Sequence, residues 1–351
     1  MIRVGLLGAT GYMGGEALRV LLEHPEVDIV WATSRKAGRI EDYHPNLYGC
    51  NVKLIHPDDI TACDVVFTAL PTESTLAMVP PLLAMGSRLI DLGAAFRLKD
   101  KRTWEKVYQT EHNQWPLAEE SVYGLSELHQ SDIEKARLIA NPGCFSSAAI
   151  LAMAPLVKDN RVDLQRLVVN GISGTAGAGA ELARAAHHPE IGNNLVAYNV
   201  VDHRHSYEME QELSLLCGSD VAVHFTPVYA PITRGILSIC HGFPTRPVTR
   251  DELLQHYRDF YAGHPFVRVY DVAKEAGAAW QYRPYPWVSA VAGSNYCFIG
   301  LDVDEIRGRV VVFSVLDSLG KGGAQVGVEN MNLMFKLDRT LGLVPRGRHP
   351  A

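Results

Sequence analysis

The chain has 351 residues, enough to bury a large core and to form two domains. Its 47% hydrophobic and 21% charged residues place it with globular rather than disordered chains, and a formal charge of −6 offers no basic field for nucleic acid. No apolar run approaches the roughly 18 residues a membrane span needs, and the N-terminus enters a strand at Ile2 without a charged leader. A cytoplasmic protein with neither a membrane nor a nucleic-acid partner is expected. Cysteines at 50, 63, 144, 217, 240 and 297 lie far apart with no CxxC pair, which argues against a zinc ribbon and against a disulfide framework.

Ile2 to Leu7 reads as a buried strand running into Gly8-Ala9-Thr10-Gly11-Tyr12-Met13-Gly14-Gly15 and a helix from about Met13 to Leu22. Glycines between a first strand and a first helix let the backbone approach a pyrophosphate at the helix N-terminus. Gly8, Thr10, Gly11, Tyr12, Met13 and Gly14 are therefore candidate cofactor contacts, with the Thr10 hydroxyl reaching a phosphate. After a second strand, Asp28 to Thr33, an NAD site would place an acid; Ser34-Arg35-Lys36 stand there instead. A hydroxyl and two cations suit a 2′-phosphate, so the cofactor expected is NADP(H). Strands follow at 65–70 and 88–92, the latter leading into Gly93-Ala94-Ala95-Phe96-Arg97, a cation at the carboxyl end of a strand. Strands alternating with helices predict an α/β fold with a Rossmann-type parallel sheet in the N-terminal domain.

Residues 137–140 form a further short strand, and Asn141-Pro142-Gly143 turns the chain toward a helix over Ser147 to Leu156. Cys144 is expected just before that helix, with Ser146 and Ser147 as candidate caps; the positive end of the helix favours a thiolate. A small buried core cysteine is the alternative.

Beyond this point the strands, at 167–172, 221–226, 235–240 and 309–315, are separated by long connections, which predicts a second, α+β domain with a mixed or antiparallel sheet. Ser173-Gly174-Thr175-Ala176-Gly177-Ala178-Gly179 offers amides and hydroxyls to an anion or cofactor headgroup, or is a flexible loop. In Asp202-His203-Arg204-His205-Ser206-Tyr207-Glu208, an extended segment would put His203 and His205 on one side and Arg204 on the other. One imidazole could serve as acid/base partner of Cys144, or the stretch is a solvated polar face. Arg234, at a strand start, could hold a carboxylate or phosphate. His187, His188, His203 and His205 lack the further ligands of a familiar metal site, so no metal is expected. A glycine-rich entry, 317–324, precedes a helix from Gln325 to Phe335 and is either a ligand contact or a cap.

A nucleotide fold, a nucleophilic cysteine and paired histidines together point to reduction of an activated acyl group through a thioester. Over essentially its full length the sequence resembles the N-acetyl-γ-glutamyl-phosphate reductases and their lysine-pathway relatives, within the aspartate-semialdehyde dehydrogenase superfamily. The motifs are GATGYMGG at 8–15, HPNLYG at 44–49, DLGAAFRL at 91–98, YGLSE at 123–127, NPGCFSSA at 141–148, SGTAGAG at 173–179, HRH at 203–205, TRGI at 233–236, GSN at 293–295 and DSLGKGGA at 317–324. The resemblance implies that Cys144 is the nucleophile, that His203 and His205 supply acid/base and polarising groups, and that Gly174 and Gly177 lie by the nicotinamide. It also implies that the terminal helix, with Asn330, returns to the nucleotide domain. The domains expected are then 1–143 completed by 321–351, and a catalytic and oligomerisation domain at 144–320 forming a homodimer or homotetramer. Substrate contacts are expected from Arg97, Asn141, Ser173 and Arg234, and from His187, His188, Arg204 and Glu208. Phe145-Ser146-Ser147 departs from the family's usual Tyr-Pro-Thr or Asn-Ala-Thr, and Asp202 from its usual glycine.

Ala186-His187-His188-Pro189-Glu190, Gly293 to Tyr296 and the ending from Leu341-Gly342-Leu343 to His349-Pro350 look like the lysine-type enzymes, whose α-aminoadipyl phosphate is carried on a small acidic amino-group carrier protein. The resemblance thus favours the carrier-linked acyl phosphate, with the acetylated glutamyl phosphate as the alternative and a dual role open. A cysteine hydrolase and an NADPH-sensing module are the rival classes.

Overall fold

A computed structural model describes residues 1–35, 38–271, 285–343 and 346–347. In chain order its principal elements are β1 (Ile2–Leu7), α1 (Tyr12–Leu22), β2 (Val27–Thr33), β3 (Leu54–Ile55), β4 (Val65–Thr68), α2 (Thr72–Ala84), β5 (Arg88–Asp91), α3 (Lys101–Tyr108), α4 (Trp115–Glu120), β6 (Val122–Tyr123), α5 (Ser126–Ile133) and β7 (Leu138–Ala140). There follow α6 (Cys144–Lys158), β8 (Leu167–Ser173), α7 (His188–Ile191), β9 (Val196–Ala197), α8 (Arg204–Cys217), β10 (Val223–Tyr229), β11 (Ile236–Gly242), α9 (Arg250–Phe260), β12 (Val267–Val269), β13 (Cys297–Asp304), β14 (Arg309–Leu316) and α10 (Gln325–Met334). They form two compact units, Met1–Pro142 with Gly323–Val344, and Gly143–Gly322 with Pro345–Ala351. Among the described residues no helix is long and apolar enough to cross a membrane.

The first unit is built on a parallel sheet in the order β3-β2-β1-β4-β5-β7-β6. Its central strands are buried on both faces, which explains their continuous apolar runs. The order reverses between β1 and β4, and the carboxyl ends of those strands flank the glycine turn, the place where doubly wound sheets take ligands. Every residue of α10 is buried, and Gly327 lies against Leu92, Phe67 and Ile90, where a Cβ would come within 2.8 Å of Leu92.

The second unit carries a mixed sheet, β12-β13-β14-β11-β8-β10-β9, parallel at β8–β10 and β12–β13 and antiparallel elsewhere. One face is covered by α6, whose residues 145–157 are all buried. Along β8 and β11 buried residues alternate with half-buried ones, so the opposite face, with Ile172, Leu237 and Ile239, is only partly covered. Gly171 lets Phe145 of α6 settle onto the sheet; a Cβ there would sit 2.5 Å from the Phe145 ring.

One expected helix start and one segment read as extended are corrected. α6 begins at Cys144 rather than Ser147, because Gly143 takes the extended N-cap conformation (φ −71°, ψ 149°) and the next residue is already helical. Ser146 and Ser147 therefore do not cap: both are buried inside the helix, and the Ser146 hydroxyl points to the His205 carbonyl at 3.5 Å. The histidine segment is not extended either. His203 is the N-cap of α8, its Nδ1 accepting the His205 N–H at 3.2 Å, and this bond starts the helix at Arg204, within the stretch read as extended. Both rings are nevertheless buried and Arg204 is exposed.

Candidate active site

The glycine turn of the first unit is shaped by close backbone approaches. Gly8 has φ +78°, and a Cβ there would lie 2.4 Å from the Ala69 carbonyl oxygen; a Cβ on Gly14 would lie 2.2 Å from the Gly8 oxygen. Gly15 leaves room for the His44 ring, whose Nε2 is 2.9 Å from the Ala9 carbonyl oxygen, which gives the histidine of the HPNLYG motif a role in fixing the turn. By contrast, nothing lies closer to the Cβ position of Gly11 than the Gly8 oxygen at 3.8 Å. Gly11 is the N-cap of α1 and uses no side-chain cap, so the first-turn amides, including those of Tyr12 and Met13, and the half-exposed Thr10 hydroxyl can face a pyrophosphate. These residues fit a dinucleotide. Ser34 and the exposed Arg35 follow β2; Lys36 lies outside the described residues.

Three other groups of this unit are already engaged. Arg97 is buried, with Nε donating to the Asn141 carbonyl at 2.7 Å and an Nη to the Leu92 carbonyl at 3.3 Å. Asn141 donates its amide to the Gly323 carbonyl at 2.9 Å. Asn330 of α10 donates to the Gly124 carbonyl at 2.8 Å and to Asn141 Oδ1 at 3.3 Å, while its own buried Oδ1 has no hydrogen-bond partner among the described residues.

In the second unit the neighbours of Cys144 are tied one after another to the start of α8. The Gly143 N–H donates to Glu208 Oε2 at 3.0 Å, and Phe145 packs edge-on against His203 and His205, with ring centroids 6.1 and 5.9 Å away. Cys144 itself is half-exposed, at the first position of α6. Gly322 presses against it from the other side: a Cβ at 322 would be 2.8 Å from that of Cys144. A half-exposed thiol at a helix N-terminus, next to a residue packed on two imidazoles, has the surroundings of a nucleophile.

The two imidazoles differ. His203 sits among Phe145, Phe225 and Tyr198, and burial, with the nearby Arg204 charge, lowers its pKa from 6.5 to about 4. It is neutral at pH 7, and because Nδ1 accepts the His205 N–H, its proton is assigned to Nε2. His205 Nε2 lies 3.8 Å from Glu208 Oε1, a carboxylate that is fully buried. Glu208 thus spans the cysteine loop and one imidazole.

Arg234, expected to hold a substrate anion, has Nε and Nη2 on the Asp317 carboxylate at 2.9–3.1 Å. Buried Asp317 also accepts the N–H groups of Gly293, Leu319 and Gly320, so it organises the GSN and DSLGKGGA motifs around one carboxylate. In the small-residue loop, the N–H groups of Gly174, Thr175 and Ala176 go to the carbonyls of Gly235, Ile232 and Thr233, and the Ser173 hydroxyl goes to the Gly174 carbonyl. Those amides are not on offer to an anion; Gly177 and Gly179, further along the loop, are exposed. His187 and His188 are exposed, around the start of α7.

Sequence reasoning missed Tyr198 and the Phe145–Phe225 packing, and it singled out the 317–324 stretch without assigning roles to Asp317 and Gly322. Asp317 had a signal, a carboxylate opening a glycine-rich turn. Tyr198 had none, since it follows a two-residue strand.

A nucleotide-type parallel sheet, followed in the chain by a mixed-sheet unit with a helix-borne cysteine, is the arrangement of an oxidoreductase acting on aldehydes. The chain belongs to the semialdehyde dehydrogenase family: residues 3–136 match its NAD binding domain and residues 144–318 its dimerisation domain. N-acetyl-gamma-glutamyl-phosphate reductases from Methanopyrus kandleri and Pelotomaculum thermopropionicum are 44% and 41% identical to it, over 100% of both chains in the first case and 99% of both in the second. That from Symbiobacterium thermophilum is 44% identical over 99% of this chain and 98% of its own. Among solved structures, aspartate semialdehyde dehydrogenase II from Vibrio cholerae has a TM-score of 0.71 at 17% identity, covering 96% of this chain and 98% of that one. The Candida albicans aspartate semialdehyde dehydrogenase with NADP has a TM-score of 0.59 at 15% identity, covering 96% and 98%. The protein is an oxidoreductase of amino-acid biosynthesis, acting on an acyl phosphate and its aldehyde.

Proposed function

We propose that this chain reduces N-acetyl-γ-glutamyl phosphate to the corresponding semialdehyde with NADPH, releasing phosphate, through a thioester on Cys144. The observation that carries the thioester is the half-exposed sulfur at the first position of α6, flanked on both sides by residues bound to the imidazole-bearing start of α8. The acetylated substrate is supported by the full-length likeness to relatives bearing that name. It displaces the carrier-linked aminoadipyl phosphate as the first reading. Ser34 and Arg35 after β2 support the 2′-phosphate form of the cofactor, as does the NADP named with the Candida albicans structure.

The sulfur attacks the acyl carbon, the C–S bond forms and the C–O bond to phosphate breaks. His205, with the Glu208 carboxylate behind it, delivers a proton to the departing phosphate. The neutral Nε2–H of His203 donates to the carbonyl oxygen as negative charge builds there. NADPH, held at the glycine turn of the first unit, would supply a hydride to the thioester carbon; the C–S bond then breaks with its electrons on the Cys144 sulfur, and the aldehyde is released. The partly covered face of the second unit's sheet supports self-association through the dimerisation domain.

The test is phosphate-dependent oxidation of N-acetylglutamate semialdehyde and of carrier-linked aminoadipate semialdehyde with NADP⁺, followed by nicotinamide absorbance. The acetylated compound is expected to be preferred by at least tenfold in kcat/KM; preference for the carrier-linked one overturns the substrate. No nucleotide reduction with either overturns the activity.

A further inference from the structure

Asp317, the residue after β14, carries a carboxylate with no exposed side-chain surface. Its oxygens accept Nε and Nη2 of Arg234 at 2.9–3.1 Å, the N–H of Gly293 at 2.6 Å, and the N–H groups of Leu319 and Gly320 at 2.8 and 3.0 Å. A carboxylate that takes the amides two and three residues further on closes a tight turn. The Asp317 carbonyl closes it a second time, accepting the Gly322 N–H at 2.9 Å. This turn has little room to move. A Cβ on Gly320 would lie 2.2 Å from the Ser294 carbonyl oxygen, so the turn is pressed on the backbone of the GSN motif. Arg234 ties it to the start of β11, where the Gly235 N–H also donates to the Ser318 hydroxyl at 3.2 Å.

The end of the turn packs on the cysteine. A Cβ at Gly322 would be 2.8 Å from the Cβ of Cys144, 2.9 Å from Leu316 Cδ1 and 3.1 Å from the Asp317 carbonyl oxygen. Only glycine allows that approach, and backbone packed this closely on a Cβ restricts the staggered positions open to the sulfur it bears. The residue before the cysteine is fixed separately, by the Gly143 N–H on Glu208. Two buried carboxylates therefore brace Cys144, one through Gly143 and one through Gly322. Such bracing matters because a nucleophile must meet its carbon at about 3–3.5 Å with orbitals aligned, and a misplacement of about 1 Å costs on the order of 100-fold in rate.

We propose that Asp317, its charge offset by Arg234, is a positioning residue for the nucleophile: the turn it organises holds Gly322 against Cys144 and selects the rotamer from which the sulfur attacks. This deepens the thioester reading and rests on it. It also gives Arg234 a task other than gripping a substrate anion, since its guanidinium is committed to the Asp317 carboxylate.

The experiment uses the full-length protein and the variants Asp317→Asn, Arg234→Gln and Gly322→Ala. Phosphate-dependent oxidation of N-acetylglutamate semialdehyde is measured beside iodoacetamide labelling of each cysteine, localised by peptide mass spectrometry. The buried Cys63, Cys240 and Cys297 report any loosening of the fold, and the half-exposed Cys50 and Cys217 serve as references. In Asp317→Asn kcat is expected to fall about tenfold with KM within about twofold, while Cys144 labels about threefold faster because the turn encloses it less. Slower chemistry on a more reachable sulfur, with the buried thiols still protected, is the mark of lost positioning. Unchanged kcat or unchanged Cys144 labelling overturns the proposal, and so does a fall in kcat accompanied by labelling of the buried thiols, which a merely structural role would produce. Arg234→Gln is expected to follow Asp317→Asn; a KM raised about tenfold or more at unchanged kcat would make Arg234 a substrate contact and overturn it. If Asp317→Asn does not fold, Gly322→Ala decides, because it crowds Cys144 and leaves the ion pair in place: kcat within about twofold of the unaltered protein overturns the proposal. Turnover by Cys144→Ala would instead sink the thioester reading, so the two failures are distinct.

Discussion

The chain makes the same local structure twice, to different ends. β1 enters α1 through Gly11, and β7 enters α6 through Gly143; both glycines are N-caps in extended conformation and neither helix has a side-chain cap. At Gly11 the turn is held by backbone packed on backbone, and its outer side stays bare for a ligand. At Gly143 a buried carboxylate reaches in from α8 to take the N–H, and the first helical residue is the half-exposed Cys144. The lesson is that glycine at a helix start says the backbone will be approached, while the surrounding side chains decide whether a phosphate or a carboxylate does the approaching.

Substitutions at the two junctions should separate their roles, and the largest effect belongs to the sulfur. Cys144→Ala should lower turnover by about 10⁴-fold or more while nucleotide binding, measured by fluorescence titration, stays within about twofold. Gly14→Ala drives a Cβ into the Gly8 oxygen and should weaken NADPH binding by roughly 100-fold. Gly11→Ala meets no such obstacle: it should leave the melting temperature unchanged and weaken binding less, and equal losses in the two variants would remove the distinction drawn here. Glu208→Gln keeps an oxygen for the Gly143 N–H but removes the charge behind His205, so kcat should fall about tenfold at unchanged thermal stability.

A further effect is read in stability against pH rather than in rate or binding. His203 has a folded pKa of about 4 against 6.5 when unfolded, so between these values the unfolded chain binds the extra proton and stability rises with pH. Its contribution is on the order of 3 kcal/mol at most, present in full above pH 6.5 and lost as pH falls toward 4. The urea midpoint should therefore drop from pH 7 to pH 5, and His203→Asn should flatten that drop.

What could be read from the sequence was whatever is local. The central strands of both sheets, the glycine turn and the turn before Cys144 are each set by neighbours a few residues apart. The two-residue strands β3, β6 and β9 carry too little pattern to show, and β12 and β13 were also missed. The start of α8 was hidden because Asp202 to Tyr207 is polar throughout, and only the His203 cap bond reveals where the helix begins. The fates of Arg97 and Arg234 were unreadable for another reason. Their acceptors at Asn141 and Asp317 are 44 and 83 residues away, and a cation in a loop looks the same in sequence whether it waits for substrate or is already satisfied.

The buried helix α10 has a consequence for synthesis. Arg339, just beyond it, is bonded to Glu329 at 2.5 Å and to Glu127 of α5 at 2.8 Å, and Asn332 receives His24 from the end of α1 at 2.9 Å. The nucleotide-binding unit therefore needs the last part of the chain to emerge from the ribosome. Until α10 has been made the sheet of that unit lacks this buried helix, so a nonsense mutation before residue 325 should yield a polypeptide that is degraded or aggregates rather than a half-active enzyme.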